Sequence, residues 1–541
     1  MRKKRILMCA ESSHVSSGFG NYTRNILTHL YNTGKYEIAE LSCYRTAQTP
    51  KTEPWKIYPN VPSDPEAQKN FGNHNSSAFG SWSFEAVLID FKPDIVFDVR
   101  DYWMLSFPEI STLRPYFYWI IAPTIDSAPQ KQEWLQTFRN ADMVLAHTDW
   151  GIEYLKSTKV PMNIGPAVND SVDTNSFKPL GIDKKIHKSH NFIDPNDFII
   201  GSVMRNQKRK LIPNLIKIVK ELSKKYTDIK LYLHTSFPDN NGWNIPSLLN
   251  EFEANNLVYF TYLCSHCKKY FPSHFQNIPA FCPYCKNYSS AICSVSHGIS
   301  DDDLSKVYNL FDLYIQYAIC EGFGIPPVEA ASCGVPIVTV DHGAMKEIGE
   351  KLDAKIVPVR SYFRELETNA DRVLPDDDKC YEILEQEYLQ YKQNSWLNSL
   401  KRSDHIRKLL LDNYGWEKTA KVFENIFDNV ELTNLQGKWD SPMNPTYPDL
   451  KVPNLSSNRL VVNFIIDHLI NASYLKHTAV IQELIANLNA GYVNNSGKIQ
   501  KFEIKDAIKT LEVLLNNKTV WEAIRTGHQK LPAFFDSIIS Y

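Results

Sequence analysis

The feature that most constrains the fold is a glycine-rich stretch between two apolar runs, at residues 313–338. The first of these runs, 313–320, is apolar and rich in β-formers, so it predicts a buried strand. Pro326 and Pro327 suit the first turn of a helix, where a missing N–H has no cost. Gly334 is a natural cap for the end of that helix, and an apolar strand follows it. The stretch therefore predicts a strand, a glycine turn, a helix and a second strand.

The glycine turn predicts a site for an anion. Gly322 and Gly324 carry no side chain, so the backbone there can approach a ligand closely. The free N–H groups at the helix start point beyond the strand, where they favour negative charge. Glu321 and Glu329 flank the turn, and carboxylates beside a phosphate make sense when hydroxyl groups surround it, as in a nucleotide sugar. From spacing alone, an ordinary strand–helix turn with two solvated glutamates is the simpler interpretation.

The segment EGFGIPPVEAASCGVPIV resembles the donor-site signature of the family-4 retaining glycosyltransferases, including two glutamates separated by seven residues. The resemblance extends more weakly from about residue 5 to about residue 430. It implies an α/β fold of the GT-B type, in which two Rossmann-like domains face each other across a cleft.

The resemblance also implies an activity, the transfer of a sugar from a UDP- or GDP-sugar to an acceptor hydroxyl with retention of configuration. Glu321 would orient the sugar and Glu329 would hold the ribose. The backbone of the turn would bind the donor through Gly322, Phe323, Gly324 and Ile325. Neither a catalytic metal nor an organic cofactor is expected.

Composition limits the other functions of this 541-residue chain. Lys and Arg total 59 and Asp and Glu total 61, which argues against a broad surface coated by nucleic acid. No apolar run has the length of a signal-peptide core or of a transmembrane helix, so a cytoplasmic protein is expected. Ten cysteines in a chain of this length do not indicate a disulfide framework.

The order of predicted strands, helices and polar linkers divides the chain into four parts. They are an N-terminal Rossmann-like acceptor domain (1–180), a Rossmann-like donor domain (181–430), a linker (431–457) and a helical accessory module (458–541). The accessory helices are a candidate oligomerisation surface. Residues 50–80 are rich in Pro, Asn, Ser and Gly and predict a long surface loop, and the polar segment 181–195 predicts an interdomain linker.

A second glycine loop, Ser17–Gly20, lies between a predicted strand and a predicted helix. By the resemblance, Gly18, Phe19 and Gly20 approach the donor diphosphate and the acceptor. A glycine loop of this kind is also a common way to turn the chain in α/β proteins.

The chain departs from the family after the strand predicted at 116–122. Many relatives place a histidine there, in contact with the donor sugar, whereas this chain has Pro123-Thr-Ile-Asp126. Asp126 is a candidate catalytic residue that would hydrogen-bond a sugar hydroxyl, and it is equally a candidate turn or cap residue. His147 is predicted to stand at the start of a helix that Thr148 or Asp149 caps.

A basic run, Arg205-Asn-Gln-Lys-Arg-Lys210, follows the strand predicted at 198–203. Relatives place an arginine and a lysine here, and both bind the donor diphosphate. The resemblance therefore assigns that role to Arg205 and Lys210. The position at a strand end that faces the expected phosphate supports a functional role over a solvated face.

Two CxxC pairs predict a metal site. Cys264, Cys267, Cys282 and Cys285 have the spacing of a zinc ribbon, inserted at 262–290. Four thiolates complete the shell, so the zinc is expected to be structural. The basic and aromatic residues of the ribbon either touch a large acceptor or pack the ribbon onto its host domain.

Two other functions fit the sequence. One is a retaining phosphorylase, although no pyridoxal-phosphate lysine region is recognisable, and the other is a decayed transferase that only binds. The acceptor is expected to be a saccharide or glycoconjugate, and the ribbon also allows a hydroxymethylated DNA base. The acidic triplets Asp301–Asp303 and Asp376–Asp378 are expected to be helix starts.

Overall fold

The structure is a computed structural model that describes residues 2–439, except 16, 74, 295, 296, 394, 395 and 434, together with two short strands near the C-terminus. Within these residues, two large sheets form two α/β halves. Both sheets are built from strongly apolar strands with helices between them, as parallel sheets require.

The first sheet has seven parallel strands. They are β1 (Arg5–Glu11), β2 (Glu37–Thr46), β3 (Lys56–Val61), β4 (Ile95–Arg100), β5 (Tyr118–Pro123), β6 (Met143–Ala146) and β7 (Ile164–Ala167). The spatial order is β3-β2-β1-β4-β5-β6-β7, so the chain reverses direction across the sheet between β1 and β4. In sheets of this type, ligands bind beyond the carboxyl ends of the strands near that reversal.

Six helices accompany this sheet. They are α1 (Gly18–Asn32), α2 (Pro65–Gly72), α3 (Phe84–Phe91), α4 (Ser106–Ile110), α5 (Gln132–Asn140) and α6 (Asp149–Ser157). Helix α1 buries Tyr22, Ile26 and Leu30 against one face of the sheet, as its helical apolar spacing predicts. Helices α3, α5 and α6 cover the other face.

Residues 50–80 are not the long loop that their composition predicts, because they contain β3, α2 and a 3₁₀ helix at Asn75–Phe79. Strand β3 is the edge of the sheet, where Pro59 is tolerated because one side of the strand needs no hydrogen-bonding partner. Asp64 caps α2, and Pro65 begins it. The turn-forming residues therefore start and end short elements here.

The polar segment 181–195 was predicted as a linker, but it contains helix α7 (Lys184–His190). Lys188 is buried, and its Nζ donates to Asp312 Oδ2 at 2.5 Å and to the carbonyl of Asp197 at 2.6 Å. A buried ammonium is stable only when it is paired and hydrogen-bonded, so these contacts fix α7 on the second half of the molecule.

The second sheet has nine strands. They are β8 (Phe198–Val203), β9 (Ile229–His234), β10 (Val258–Cys264), β11 (Tyr270–His274), β12 (Ala280–Phe281), β13 (Tyr288–Ile292), β14 (Leu313–Ile315), β15 (Ile337–Val340) and β16 (Lys355–Val357). The order is β12-β13-β10-β9-β8-β14-β15-β16, and β11 also pairs with β10. Strands β11, β12 and β13 are antiparallel to their neighbours, and they form the inserted ribbon at one end of a parallel sheet.

The remaining helices belong to the second half or return to the first. They are α8 (Ile212–Lys225), α9 (Ile245–Glu251), α10 (Asp301–Tyr308), α11 (Ile325–Ser332), α12 (Gly343–Lys351), α13 (Asp377–Gln393), α14 (Trp396–Asn413) and α15 (Trp416–Asn429). Ser300 caps α10. Asp376 Oδ1 accepts from the amides of Asp378 and Lys379, so both acidic triplets lie at helix starts, as predicted.

Two segments cross between the halves. Helix α15 packs on the first sheet, where Phe423 contacts Phe97 at a ring-centroid distance of 4.6 Å. A hairpin of β17 (Val359–Arg364) and β18 (Asp371–Pro375) reaches the first half as well. There the amide of Asp371 donates to the carbonyl of Ala128 at 2.9 Å.

The predicted linker begins with residues packed against the first sheet, since Trp439 is buried and its Nε1 donates to the carbonyl of Pro93 at 2.8 Å. The predicted helical module at 458–541 lies outside the described residues, apart from the paired strands β19 (Tyr492–Val493) and β20 (Ile499–Gln500). Among the residues that the structure describes, no helix combines the length and apolar content needed to cross a membrane.

Candidate active site between the two sheets

A cavity of about 710 Å³ lies between the two halves. Most of its lining comes from the loops after β1, β4, β5, β6 and β7 on one side and from those after β8, β9 and β14 on the other. Both sets of loops follow the carboxyl ends of parallel strands, which is where α/β sheets bind ligands.

The glycine turn after β14 forms one wall of the cavity. Gly324 has a φ of +107° and precedes the first residue of α11, and Pro326 and Pro327 occupy the first turn, as predicted. A Cβ on Gly322 would stand 2.1 Å from Thr124 Cγ2 of the first half. Gly322 is therefore required where the two halves approach each other, and residues 322–326, at the start of α11, line the cavity.

Glu321 is the centre of a buried ionic cluster. Its Oε1 contacts the Lys210 ammonium and accepts from Gln316 Nε2 at 2.6 Å, and its Oε2 accepts from Arg209 Nη1 at 2.8 Å. Burial and the neighbouring Arg209 guanidinium lower the pKa of the Lys210 ammonium well below its usual value. The sequence predicted Glu321 and Lys210 in the site but not Arg209 or Gln316.

Arg205 lines the same cavity but does not contact Glu321. Its Nε pairs with Asp239 Oδ2 at 3.2 Å, and about half of its side chain is exposed (53%). Arg209, four residues later in the same turn, is the arginine that meets Glu321. The side of the cavity that the second half forms therefore carries three cations. Arg209 and Lys210 pair with Glu321, and Arg205 is half exposed.

Glu329 lies one turn into α11 and is buried at the cavity wall. Its Oε2 accepts a hydrogen bond from the Tyr308 hydroxyl at 2.6 Å. Burial raises the pKa of Glu329 to about 7, against the lowering effect of that hydrogen bond. The Glu329 carboxyl group is thus partly protonated near neutral pH, and further hydrogen-bond donors would stabilise its ionised form.

The N-terminal glycine loop contributes the opposite wall. Gly18 and Phe19 line the cavity, and a Cβ on Gly18 would lie 3.5 Å from Ile325 Cδ1, at the start of α11. Gly20 does not line the cavity. It packs against the loop before it, where a Cβ would meet the carbonyl oxygen of Val15 at 2.2 Å. The structure therefore gives Gly20 a packing role, in contrast to the predicted donor contact.

Asp126 does not line the cavity, although it lies next to Gly322. Its Oδ2 pairs with Arg372 Nη1 at 2.9 Å, and the same guanidinium donates to Ser127 Oγ at 2.7 Å. Arg372 comes from β18 and is buried, so the pair connects the hairpin of the second half to the first half. This geometry favours the turn interpretation of Asp126 over a sugar contact.

His147 is more than the helix-start residue that the sequence predicted. Thr148 caps α6 as expected, but the His147 ring lines the cavity, and its Nδ1 lies 3.0 Å from Asp170 Oδ1. Burial favours the neutral ring, but the Asp170 carboxylate outweighs it and raises the pKa of His147. No sequence pattern reveals this pairing, because it depends on how the ends of β6 and β7 meet.

The four predicted metal ligands converge away from this cavity. The sulfur atoms of Cys264, Cys267, Cys282 and Cys285 all lie within 4.8 Å of one another. The Cys264–Cys285 and Cys267–Cys282 Sγ distances are 3.6 and 3.7 Å. A tetrahedral zinc with Zn–S bonds of about 2.3 Å separates its sulfurs by about 3.8 Å, so the cluster has the dimensions of a zinc site.

Comparison with known proteins agrees with this architecture. Residues 290–387 match the model of the glycosyl transferases group 1 family. The serotype-specific mannosyltransferase WbdA of Escherichia coli is 29% identical over 101 residues, which are 19% of this chain and 12% of that protein. The O-antigen chain mannosyltransferase B of Escherichia coli is 30% identical over 112 residues, which are 21% of this chain and 29% of that protein. The chain thus spans less than a third of the length of either relative.

A solved structure matches over most of the chain. The structure of Anabaena HepE in complex with UDP-glucose matches 78% of this chain and 99% of its own, with a TM-score of 0.55 at 12% identity. The molecule therefore has the GT-B fold, and the predicted arrangement of two facing Rossmann-like halves is confirmed. The segment that matches the glycosyl transferases group 1 model, residues 290–387, lies within the second half.

Proposed function

We propose that this chain is a glycosyltransferase that moves a sugar from a nucleotide-diphosphate sugar to an acceptor hydroxyl, with retention of anomeric configuration. The observation that carries the proposal is the cluster of Glu321, Arg209 and Lys210 at the amino end of α11, inside the cavity between the halves. Cations beside a helix start suit a diphosphate, and a carboxylate among them suits the hydroxyls of a sugar.

The donor diphosphate is assigned to the second side of the cavity. Arg205 and Lys210 would bind its oxygens together with the amides of residues 322–325, and Arg209 adds a third cation. As the sugar–phosphate bond breaks, negative charge grows on the leaving diphosphate, and these preorganised groups stabilise it without reorganising. Glu321 holds Lys210 and Arg209 in place and presents its carboxylate to the sugar.

The ribose is assigned to Glu329. The Glu329 carboxyl group is buried, and its Oε2 accepts a hydrogen bond from the Tyr308 hydroxyl. Its Oε1 would accept hydrogen bonds from the ribose hydroxyls of the nucleotide. Such donors favour the ionised form, so nucleotide binding and ionisation of Glu329 are coupled.

The reaction requires no side-chain base. The acceptor oxygen forms its bond to the anomeric carbon on the face that the diphosphate leaves, and a leaving phosphate oxygen takes the hydroxyl proton. The products are a glycoside and a nucleoside diphosphate. Asp126 is held by Arg372, so we do not assign it a proton-transfer role in this mechanism.

The donor is proposed to be a UDP- or GDP-sugar. The HepE complex contains UDP-glucose, and the two relatives from Escherichia coli are named as mannosyltransferases, so both kinds of sugar are candidates. The acceptor is proposed to be a saccharide or glycoconjugate, or a hydroxymethylated DNA base. Homo-oligomerisation through residues 458–541, a cytoplasmic location and the domain boundaries remain predictions.

We further propose that Cys264, Cys267, Cys282 and Cys285 hold a structural zinc. The sulfur geometry fits, and the Cys267 amide donates to Cys264 Sγ at 3.4 Å, a contact that stabilises a thiolate. Since zinc binding would fold the ribbon, Cys282→Ser should lose the metal and loosen residues 262–290 while the donor site stays intact. Elemental analysis of the wild-type protein checks this, and freely titrating thiols with no bound metal would exclude the site.

The test of the transferase proposal is a donor screen. UDP- and GDP-sugars are incubated with the protein, and release of the nucleoside diphosphate is measured with and without candidate acceptors. We expect hydrolysis or transfer with one donor class, and the anomeric configuration of the product, measured by NMR, to match that of the donor. Tight donor binding without turnover on any acceptor would instead indicate a protein that only binds.

A further inference from the structure

The outer surface of the ribbon exposes large apolar side chains. Tyr288 is 73% exposed, Ile278 44%, Tyr284 38% and Phe281 37%. The rings that hold the ribbon together are different ones, because Tyr262 and Phe271 are buried and stack with ring centroids 5.6 Å apart. Tyr284 contacts Phe192 and Phe271 edge to face, and Phe281 contacts Tyr288. Each of these three exposed rings nevertheless keeps more than a third of its surface open to solvent, and that exposure requires another explanation.

The same surface is basic. Lys268, Lys269 and Lys286 are exposed, and the sequence contains no Asp or Glu between Glu253 and Asp301. Two of the lysines stand over exposed rings. Lys269 Nζ lies 4.9 Å from the centre of the Tyr284 ring, and Lys286 Nζ lies 6.0 Å from that of Phe281. Cations and partly exposed rings thus lie together on this surface, without a carboxylate from the ribbon itself.

We define the ribbon surface as Lys268, Lys269, Ile278, Phe281, Tyr284, Lys286 and Tyr288. We propose that it binds single-stranded nucleic acid. Unpaired bases stack on exposed aromatic rings whatever their sequence, and lysines between the rings neutralise the phosphates that connect the bases. An acidic protein would also meet the lysines, but it would not need a set of exposed aromatic rings beside them.

The chain that leaves the ribbon reaches the wall of the active-site cavity. Strand β13 ends at Ile292, and the next two residues, Cys293 and Ser294, line the cavity between the halves. The binding proposal goes beyond the proposed transferase function and does not depend on it.

The experiment uses the full-length, zinc-loaded protein and a fluorescent oligothymidylate of about 20 nucleotides, which spans more than one binding site of this type. Fluorescence anisotropy gives the affinity at several salt concentrations. Polyglutamate of matched charge is the competitor that separates base stacking from charge alone. We expect binding that weakens with salt and that polyglutamate displaces poorly.

Two sets of variants locate the surface. Tyr284→Ala and Tyr288→Ala should each weaken binding about tenfold, the loss expected from one stacked base. The double change Lys269→Gln and Lys286→Gln should weaken binding and reduce its salt dependence. Tyr362→Ala, at a ring that is 62% exposed on the hairpin, and the double change Lys224→Gln and Lys379→Gln are the matched controls and should bind like the wild type.

Three results would overturn the proposal. One is no binding of the oligonucleotide by protein whose zinc content is full. Another is equal displacement by polyglutamate with unchanged binding by both tyrosine variants, which would indicate a surface for an acidic protein. The third is an equal loss in the controls. Release of nucleoside diphosphate from the donor is measured on the same samples, so failure of this proposal is distinguished from failure of the transferase proposal.

Discussion

The two glycine turns of this molecule have the same local design but different electrostatic surroundings. Each follows a strand, begins a helix and lies at the cavity. Around the first turn, the lining carboxylates are Glu11, Asp101 and Asp170. Around the second turn, the lining cations are Arg205, Arg209 and Lys210, and they stand beside the carboxyl groups of Glu321 and Glu329.

This difference supports our proposal that the donor diphosphate binds at one end of the cavity and the acceptor at the other. A diphosphate is stabilised where three cations and a helix start converge, and it is repelled where three carboxylates gather. The acidic side instead suits the hydroxyl donors of a neutral acceptor. A glycine turn by itself thus does not identify a phosphate site, and the charges around it, which come from other strand ends, decide what it binds.

The largest effect is expected at Glu321, where the second turn meets the cations. Glu321→Gln keeps the shape of the side chain but removes the charge that holds Lys210 and Arg209 and that orients the sugar. Transfer should fall by more than about a thousandfold, the scale of a lost transition-state contact, while UDP or GDP still binds. Calorimetric titration together with a transfer assay checks this, and lost nucleotide binding with intact turnover would reverse the assignment of the two glutamates.

The next effect concerns the cations themselves. Lys210→Ala and Arg205→Ala should each reduce turnover by about two to three orders of magnitude, because each removes a cation that stabilises the leaving diphosphate. Lys208→Ala, an exposed lysine in the same basic run, is the matched control. Steady-state kinetics measures all three, and unchanged turnover in either test variant would remove that residue from the diphosphate site.

A third prediction compares the two turns through their glycines. Gly322→Ala should impair folding or activity, because its Cβ would overlap Thr124 Cγ2, and overpacking typically costs about 1–3 kcal/mol. Gly18→Ala should have little effect, since its Cβ would meet Ile325 at an ordinary contact distance. Adding Thr124→Ser removes the overlapping methyl and should rescue Gly322→Ala. Thermal unfolding and turnover are the measurements, and no rescue would exclude this contact as the cause.

The smallest effect is a pH dependence at Glu329. Its pKa is raised by burial from 4.5 to about 7, so its contribution to stability is present below pH 4.5 and is lost as pH rises through 7. Glu329→Gln should not show that loss. Nucleotide affinity should increase from pH 6 to 8 more in the wild type than in the variant, which should bind the nucleotide more weakly at pH 8. Denaturant titrations and calorimetry across that range test both statements.

The sequence predicted the elements that local patterns control. The turn at 321–325, its helix and the CxxC pairs were found because glycine, proline and cysteine spacings have direct geometric meaning. Gly20 was assigned to the donor because spacing does not show that its Cα faces Val15. Residues 50–80 were assigned to a loop because an edge strand tolerates turn-forming residues.

Pairings between distant segments were not predictable from one sequence. Arg209 and Arg205 stand in the same basic run, and only the path of the turn after β8 decides which one meets Glu321. The contacts of His147 with Asp170 and of Asp126 with Arg372 join segments whose register no local pattern fixes. Such contacts depend on how the sheets are ordered and how the halves approach each other.

The account rests on the claim that the nucleoside diphosphate binds beside the second turn and not the first. The most direct test is calorimetric titration of UDP and GDP into two charge variants, Lys210→Met on the cationic side and Asp101→Asn on the acidic side. The account predicts that Lys210→Met loses at least about tenfold in affinity for the nucleotide that the wild type binds, because a charge-assisted contact is removed. It predicts that Asp101→Asn binds as the wild type does, and a loss at Asp101 with none at Lys210 would contradict it.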